Sequence, residues 1–245
     1  LENTRENQRL LPGFLFPTNL YVTNSIEEAL AGTDIVVVAV PSRSFRDNVQ
    51  TFAPYLSDPC VVLSATKGLE KDTAKRMTQI LEEELPAHFH NGISVLSGPN
   101  LSSEVVQGKP CSTVIASRNE AVATQAQKLF MSAAFRVYTN SDVVGVELGG
   151  SLKNIIALGA GISDGLGYGD NGKAAFITRG LAEITRLGIA LGANPLTLSG
   201  LAGLGDLMAT CASPFSRNRY VGEQLAKGRS LPEILSSMKN VAEGV

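Results

Sequence analysis

Residues 33–42 read TDIVVVAVPS, an unbroken apolar run rich in valine and isoleucine that is closed by Pro41. Polar residues do not alternate through it, so it predicts a strand buried on both faces, as in a parallel sheet. Downstream, RSFRDNVQTFAPYL has helical spacing and CVVLSAT (60–66) is a second buried strand. DTAKRMTQILEEEL predicts an acidic amphipathic helix and ISVLSGPN a third strand. Strands alternating with helices of about 10–15 residues indicate βαβ units around a parallel sheet. The alternation continues through STVIAS (112–117), a helix over EAVATQAQKLFMSA and FRVYTN (135–140).

Beyond Asn140 the pattern changes. Residues 141–245 hold no strand-like run, only helical patterns broken by glycine at 141–165, 172–191 and 216–227, with a turn-rich piece near 195–210. The expected organisation is an α/β domain over 1–140 and an all-α domain over 141–245. An open parallel sheet that binds a dinucleotide normally begins with a strand and a Gly-x-Gly-x-x-Gly turn. No such motif precedes Thr33, and the chain stops at VAEGV without a closing element, so part of a longer protein is expected.

Composition narrows the class. The chain has 245 residues, 44% of them hydrophobic and 18% charged, enough to fill one large core or two ordinary ones. A net charge of −2 and the lack of a basic block give no pull towards nucleic acid or anionic membranes. Cys60, Cys111 and Cys211 are odd in number and far apart, which fits neither a disulfide framework nor a zinc knuckle and points to a reducing cytoplasm. The sequence reading finds neither a signal peptide nor a run of about 20 apolar residues able to span a bilayer. His88 and His90 lack a third ligand nearby, so no metal site is expected.

One lysine is out of place. In GGSLKNIIALGAGISDGLGYGDN (149–171), Lys153 falls among glycines, alanines and aliphatics on the expected buried face of a helix. A buried ammonium is costly unless paired. Either the amine snorkels out or caps a neighbouring helix, or burial lowers its pKa and readies it to exchange a proton with a substrate. The surrounding glycines, each roughly 1 kcal/mol worse than alanine in a helix, mark a place where backbones or a ligand come close.

Further polar groups cluster elsewhere. GLAGLGDLMATCASPFSRNR (200–219) sets Asp206 behind a glycine turn and Thr210 one helical turn later. It then offers Ser216, Arg217, Asn218 and Arg219 where a helix begins, a donor set that suits a phosphate or serves only as an N-cap. Lys67 and Gly68 follow the second strand, and Gly98, Pro99 and Asn100 the third. Such strand ends face the ligand crevice of an open α/β sheet.

Read together, AVPS, ATKGLE, SGPN, the stretch from VYTNSDVVGVELGG through SLKNIIALGAG to FITRG, GLAGLGDL and SRNR resemble the NAD(P)-dependent sn-glycerol-3-phosphate dehydrogenases of bacterial or plastid type. The resemblance runs in order from LLPG to VAEGV. It implies an incomplete Rossmann-like α/β domain followed by an all-α substrate domain, a cytoplasmic homodimer, and NAD(H) or NADP(H) as cofactor. The reaction it implies interconverts dihydroxyacetone phosphate and sn-glycerol 3-phosphate and feeds glycerophospholipid synthesis.

By matching motif, Lys153 resembles the catalytic lysine, with Asn154, Asp206 and Thr210 orienting it and the substrate hydroxyls. Lys67 matches the lysine between substrate and cofactor. Gly98 and Asn100 match the substrate loop, and Ser102 a cofactor contact. Ser216, Arg217 and Asn218 match the substrate-phosphate cluster, Arg217 also touching the cofactor, while Val241 and Glu243 match late cofactor contacts. The family's Gly-Pro-Ser/Thr-Phe-Ala loop is GPNLSS here. Competing readings are another two-domain dehydrogenase of 3-hydroxyacid or 6-phosphogluconate type, or, for these 245 residues alone, a non-catalytic helical assembly module. Without the nucleotide fingerprint, little dinucleotide binding or turnover is expected of these residues by themselves.

Overall fold

The computed structural model describes residues 1, 4–57, 59–238 and 242–245. Five strands, β1 (Ile35–Val38), β2 (Val61–Ser64), β3 (Ile93–Ser97), β4 (Cys111–Ala116) and β5 (Phe135–Asn140), form one sheet in sequential order. β1, β2 and β3 run parallel, as do β4 and β5, but β4 is antiparallel to β3. The expectation of a wholly parallel sheet fails at this pair. Residues between β3 and β4 form only the four-residue helix Ser102–Val105, too little to carry the chain back across the sheet.

Eleven α-helices are described: α1 (Ile26–Leu30), α2 (Phe45–Phe52), α3 (Met77–Glu84), α4 (Ser102–Val105), α5 (Glu120–Phe130), α6 (Val143–Gly165), α7 (Gly169–Ala190), α8 (Pro195–Leu198), α9 (Asp206–Ala212), α10 (Arg217–Ala226) and α11 (Leu231–Ser237). On one face of the sheet, Phe45, Val49, Ile80 and Leu81 of α2 and α3 bury Val38 and Val62. On the other, Ala123 and Ala126 of α5 pack on Leu63, Ile115 and Val137. Each such side chain stabilises the fold by roughly 1.5–3 kcal/mol when fully buried, alanine less. α3 begins at Met77, five residues later than its pattern predicts. Asp72 and Ala74 take positive φ, and Leu69 bridges Arg76, so the polar residues before the helix close a tight loop instead.

α6 is the axle of the molecule. Asp142 caps it, accepting from Gly145 N at 2.8 Å. Its first turn packs on β3 and β4 through Val143 and Val146. Its later turns meet α7 and α9 through Ala157 and Ala160. By length and composition its 23 residues could cross a membrane, which the sequence reading did not find. Within the fold 61% of its most apolar window is buried, against the sheet at its start and against other helices further on. α10 lies so near that a Cβ on Gly161 would strike the carbonyl of Arg219, and one on Gly222 that of Leu158.

The outer edge of β1 is unpaired among the described residues, and Val37 in its middle is 43% exposed. A groove of about 1060 Å³ runs between the start of this strand and α5, past Ile35, Thr124 and Leu129.

Candidate active site

Lys153 lies on α6 with 6% of its surface exposed, so the amine is buried. It does not snorkel. Nζ donates to Asp206 Oδ1 and to Thr210 Oγ1, the latter at 2.8 Å. Asp206 opens α9 behind a single π-turn, Leu201–Gly205, which takes up the glycine-rich stretch. Thr210, one turn on, donates to the backbone oxygen of Asp206 at 2.6 Å and so presents a lone pair to the lysine.

The second oxygen of Asp206 is also taken. Lys67 Nζ donates to Oδ2 at 2.8 Å and to Gly98 O at 2.7 Å. Two ammonium groups therefore share one carboxylate. Burial, then the neighbouring Lys67 charge, brings the Lys153 pKa down to about 7, while Asp206 limits the fall. Among the described residues each ammonium uses two of its three donors, which leaves one apiece for a ligand.

Asn154 and Asn218 are joined, Nδ2 of the latter donating to Oδ1 of the former at 2.9 Å. Asn218 Oδ1 in turn accepts from Gly244 N at 3.0 Å, so the end of the described chain is tied to the helical half. Ser216 is buried as the N-cap of α10, its Oγ accepting from Arg219 N at 3.3 Å. Arg217 is exposed at the head of that helix. Arg219 is separated from the tetrad: its Nε donates to Asp164 Oδ2 at 2.6 Å, the oxygen that also takes Lys173 Nζ at 2.8 Å.

Asn100 lies beside the site, donating through Nδ2 to Thr113 Oγ1 at 2.9 Å, and its buried Oδ1 has no partner among the described residues. Ser102 opens α4, exposed, and no contact joins it to the lysine pair. Glu243 reaches the α/β half, Oε2 accepting from Ser42 Oγ at 2.5 Å and Oε1 from Ser42 N at 3.4 Å. Ser42 was missed by sequence reasoning, although AVPS was recognised as a strand end. Val241 lies outside the described residues. No group of three or more His, Cys, Asp or Glu side chains suited to a metal exists among the described residues.

A crevice of about 460 Å³ opens at the carboxyl ends of β1 and β2, lined by Ala39, Val40, Pro41, Thr66, Lys67, Arg217 and Glu243 among others. Such strand ends are where open α/β sheets bind ligands. Small apolar residues beside the cations Lys67 and Arg217 fit the nicotinamide end of a dinucleotide, and a Cβ on Gly68 would strike Ser42, so the wall there is close-packed.

A mostly parallel sheet whose strand ends meet a helical half, with a buried lysine of lowered pKa at the junction, fits the class of dinucleotide-dependent dehydrogenases with a helical second part. Residues 1–123 match the family described as NAD-dependent glycerol-3-phosphate dehydrogenase N-terminus, and residues 142–245 match its C-terminus. The chain belongs to the NAD(P)-dependent glycerol-3-phosphate dehydrogenases. It is 59% identical over 232 residues to the glycerol-3-phosphate dehydrogenase [NAD(P)+] of Dehalococcoides mccartyi, covering 95% of this chain and 65% of that protein. The enzyme of the same name from Pelotomaculum thermopropionicum is 51% identical, over 100% of this chain and 70% of its own length. The chain thus spans about two thirds of the length of these relatives.

Among solved structures, glycerol-3-phosphate dehydrogenase from Coxiella burnetii superposes with a TM-score of 0.94 at 36% identity, covering 99% of this chain and 74% of the other. The Dunaliella salina enzyme gives 0.90 at 26% identity, over 99% of this chain and 43% of the other. The cofactor of the family is NAD(H) or NADP(H).

Proposed function

We propose that this chain, in its complete enzyme, interconverts dihydroxyacetone phosphate and sn-glycerol 3-phosphate, with Lys153 as the proton donor and acceptor. The observation that carries the reading is the Lys153–Asp206–Thr210 contact at the edge of the helical half. When bound, the nicotinamide supplies or accepts hydride at C2 of the substrate. Lys153 Nζ gives its proton to the C2 oxygen in reduction and takes it back in oxidation. A pKa near 7 lets it do both near neutral pH.

Asp206 and Thr210 fix the direction of the Nζ hydrogens, so the remaining donor has one place to point. Lys67 adds a second positive charge beside the oxygen that becomes negative in the transition state. Asn154, held by Asn218, aligns substrate hydroxyls. Arg217, with Ser216 and Asn218 at the start of α10, takes the substrate phosphate, since a helix N-terminus and a guanidinium both favour a dianion. Gly98 and Asn100 border the substrate, while Lys67, Ser102, Arg217 and Glu243 border the cofactor.

In this reading residues 1–140 are the dinucleotide half and 141–245 the substrate half. The product feeds glycerophospholipid synthesis in the cytoplasm. A homodimer is favoured by the apolar residues that the helical half leaves exposed, among them Tyr168 and Phe215. The test follows oxidation of NADH and of NADPH by the complete enzyme with dihydroxyacetone phosphate, parent against Lys153→Ala. Turnover by the parent with a loss of about 10²–10⁴-fold in kcat for the variant supports the reading. A parent inactive with both cofactors refutes it.

A further inference from the structure

The stretch VGVELGG (144–150) holds a second misplaced charge, Glu147, six residues before Lys153 on α6. Its side chain is buried. Oε1 accepts from Thr78 N at 2.8 Å, and Oε2 accepts from Thr78 Oγ1 and Arg76 Nη1, each at 2.5 Å. Burial pushes the carboxyl pKa up, while Arg76 and the bonds from Thr78 favour the charged form. Arg76 and Thr78 stand at the start of α3, at the far end of the loop that begins with Lys67.

We infer that Glu147 is a positioning residue for the reaction: it clamps the β2–α3 loop to α6 so that Lys67 lies on Asp206. The inference rests on the functional reading above.

Contacts from both sides hold that loop. From outside, Arg46 of α2 grips Glu70 with two bonds of 2.6 and 2.9 Å. From inside, Ser151 Oγ donates to Gly68 O at 3.1 Å. Glu147, one turn before Ser151 on the same helix, supplies the charged inside contact. Between them Gly150 leaves room for Ser97 of β3, whose Oγ a Cβ there would strike, and Lys67 Cγ lies at ordinary contact distance, 3.6 Å from that Cβ position. One helix thereby carries both the catalytic amine and the fixture for its cationic neighbour. Removing the carboxylate strands a guanidinium and a backbone N–H in a buried place, and the loop relaxes to solvate them.

Relaxation has a readable consequence. The charged groups facing Lys153 are Asp206 from α9 and Lys67 from the loop. α9 also brings the Thr210 hydroxyl and the Cys211 thiol, beyond which lie Lys173 of α7, Asp164 of α6 and Arg219 of α10. Only Lys67 sits on the clamped segment. When it drifts off, the like charge that lowers the Lys153 pKa weakens, and Lys153 keeps its proton to higher pH.

The test compares Glu147→Ala, Glu147→Gln and Arg76→Gln in the complete enzyme. In the ligand-free protein the Lys153 ammonium is titrated by NMR of nitrogen-15 lysine. In the assay, kcat and KM for dihydroxyacetone phosphate are measured against pH. Glu147→Ala is expected to raise the Lys153 pKa and to lower kcat by about ten- to a hundredfold. Glu147→Gln keeps an acceptor for Thr78 N and recovers most of the kcat, and Arg76→Gln, read alone if Glu147→Ala does not fold, shifts both in the same direction by less. A folded variant whose Lys153 titrates as in the parent overturns the inference and leaves the enzymatic reading standing. A parent enzyme without turnover removes that reading instead.

Discussion

Lys67 and Lys153 hold opposite oxygens of the Asp206 carboxylate, Lys67 at 2.8 Å, although they come from a loop after the sheet and from the central helix. The triad carries one net positive charge in a buried place when all three groups are ionised. Its chemistry depends on pH for that reason.

For the reduction, Lys153 must enter as the ammonium. With its pKa near 7, kcat/KM is expected to be flat below about 7 and to fall tenfold per pH unit above. The oxidation needs the neutral amine, so its limb has the opposite sign, rising to a plateau above about 7. Lys67→Met, which deletes the like charge, is expected to move both limbs to higher pH. Initial rates in both directions over pH 5–10 check this, and limbs of the same sign in both directions would exclude Lys153 as the titrating group.

Asp206→Asn leaves two ammoniums against each other. Breaking a buried pair by removing one partner costs about 3–5 kcal/mol. The loss is expected to be larger below pH 7, where Lys153 stays charged in the folded protein, than at pH 9, where it is neutral. Thermal unfolding at the two pH values measures the difference. Equal losses would mean that the lysine does not carry its charge when buried.

Arg217 is exposed, so Arg217→Ala is expected to leave the melting temperature unchanged. If it binds the substrate phosphate, losing a charge-assisted hydrogen bond worth about 1.5–3 kcal/mol raises KM for dihydroxyacetone phosphate by roughly ten- to a hundredfold while kcat changes little. Steady-state kinetics decide, and an unchanged KM places the phosphate elsewhere.

Gly222→Ala drives a methyl group into the Leu158 carbonyl and must push α10 away from α6. Overpacking of this kind costs about 1–3 kcal/mol. The shift also pulls Asn218 from Asn154, so unfolding free energy and kcat are both expected to drop. Gly228→Ala, at a positive-φ turn with open space around it, is the control that loses stability through backbone strain alone.

Much of this was legible in the chain. Lys153 declared itself because an amine among glycines and aliphatics has few explanations, and Asp206 and Thr210 stand one helical turn apart in the sequence. Strand positions followed from their apolar runs. Strand direction did not, because β4 has the same composition whichever way it runs, and only the short link before it forces the antiparallel pairing. The sharing of Asp206 was equally hidden: Lys67 is 139 residues away and is brought there by a loop whose anchors, Arg46 and Glu147, read as unrelated charges. Glu83 and Glu84, which the sequence shows only as part of an acidic amphipathic helix, also converge on Arg46.

The bare side of β1 bears on how this polypeptide behaves in a test tube. A strand with free N–H and C=O groups and a half-exposed valine at its centre is a template for another chain to add to. Wherever no further strand covers it, that edge is expected to promote concentration-dependent association between copies. Lysine in place of Val37 would act as a gatekeeper there, trading apolar edge surface for colloidal stability.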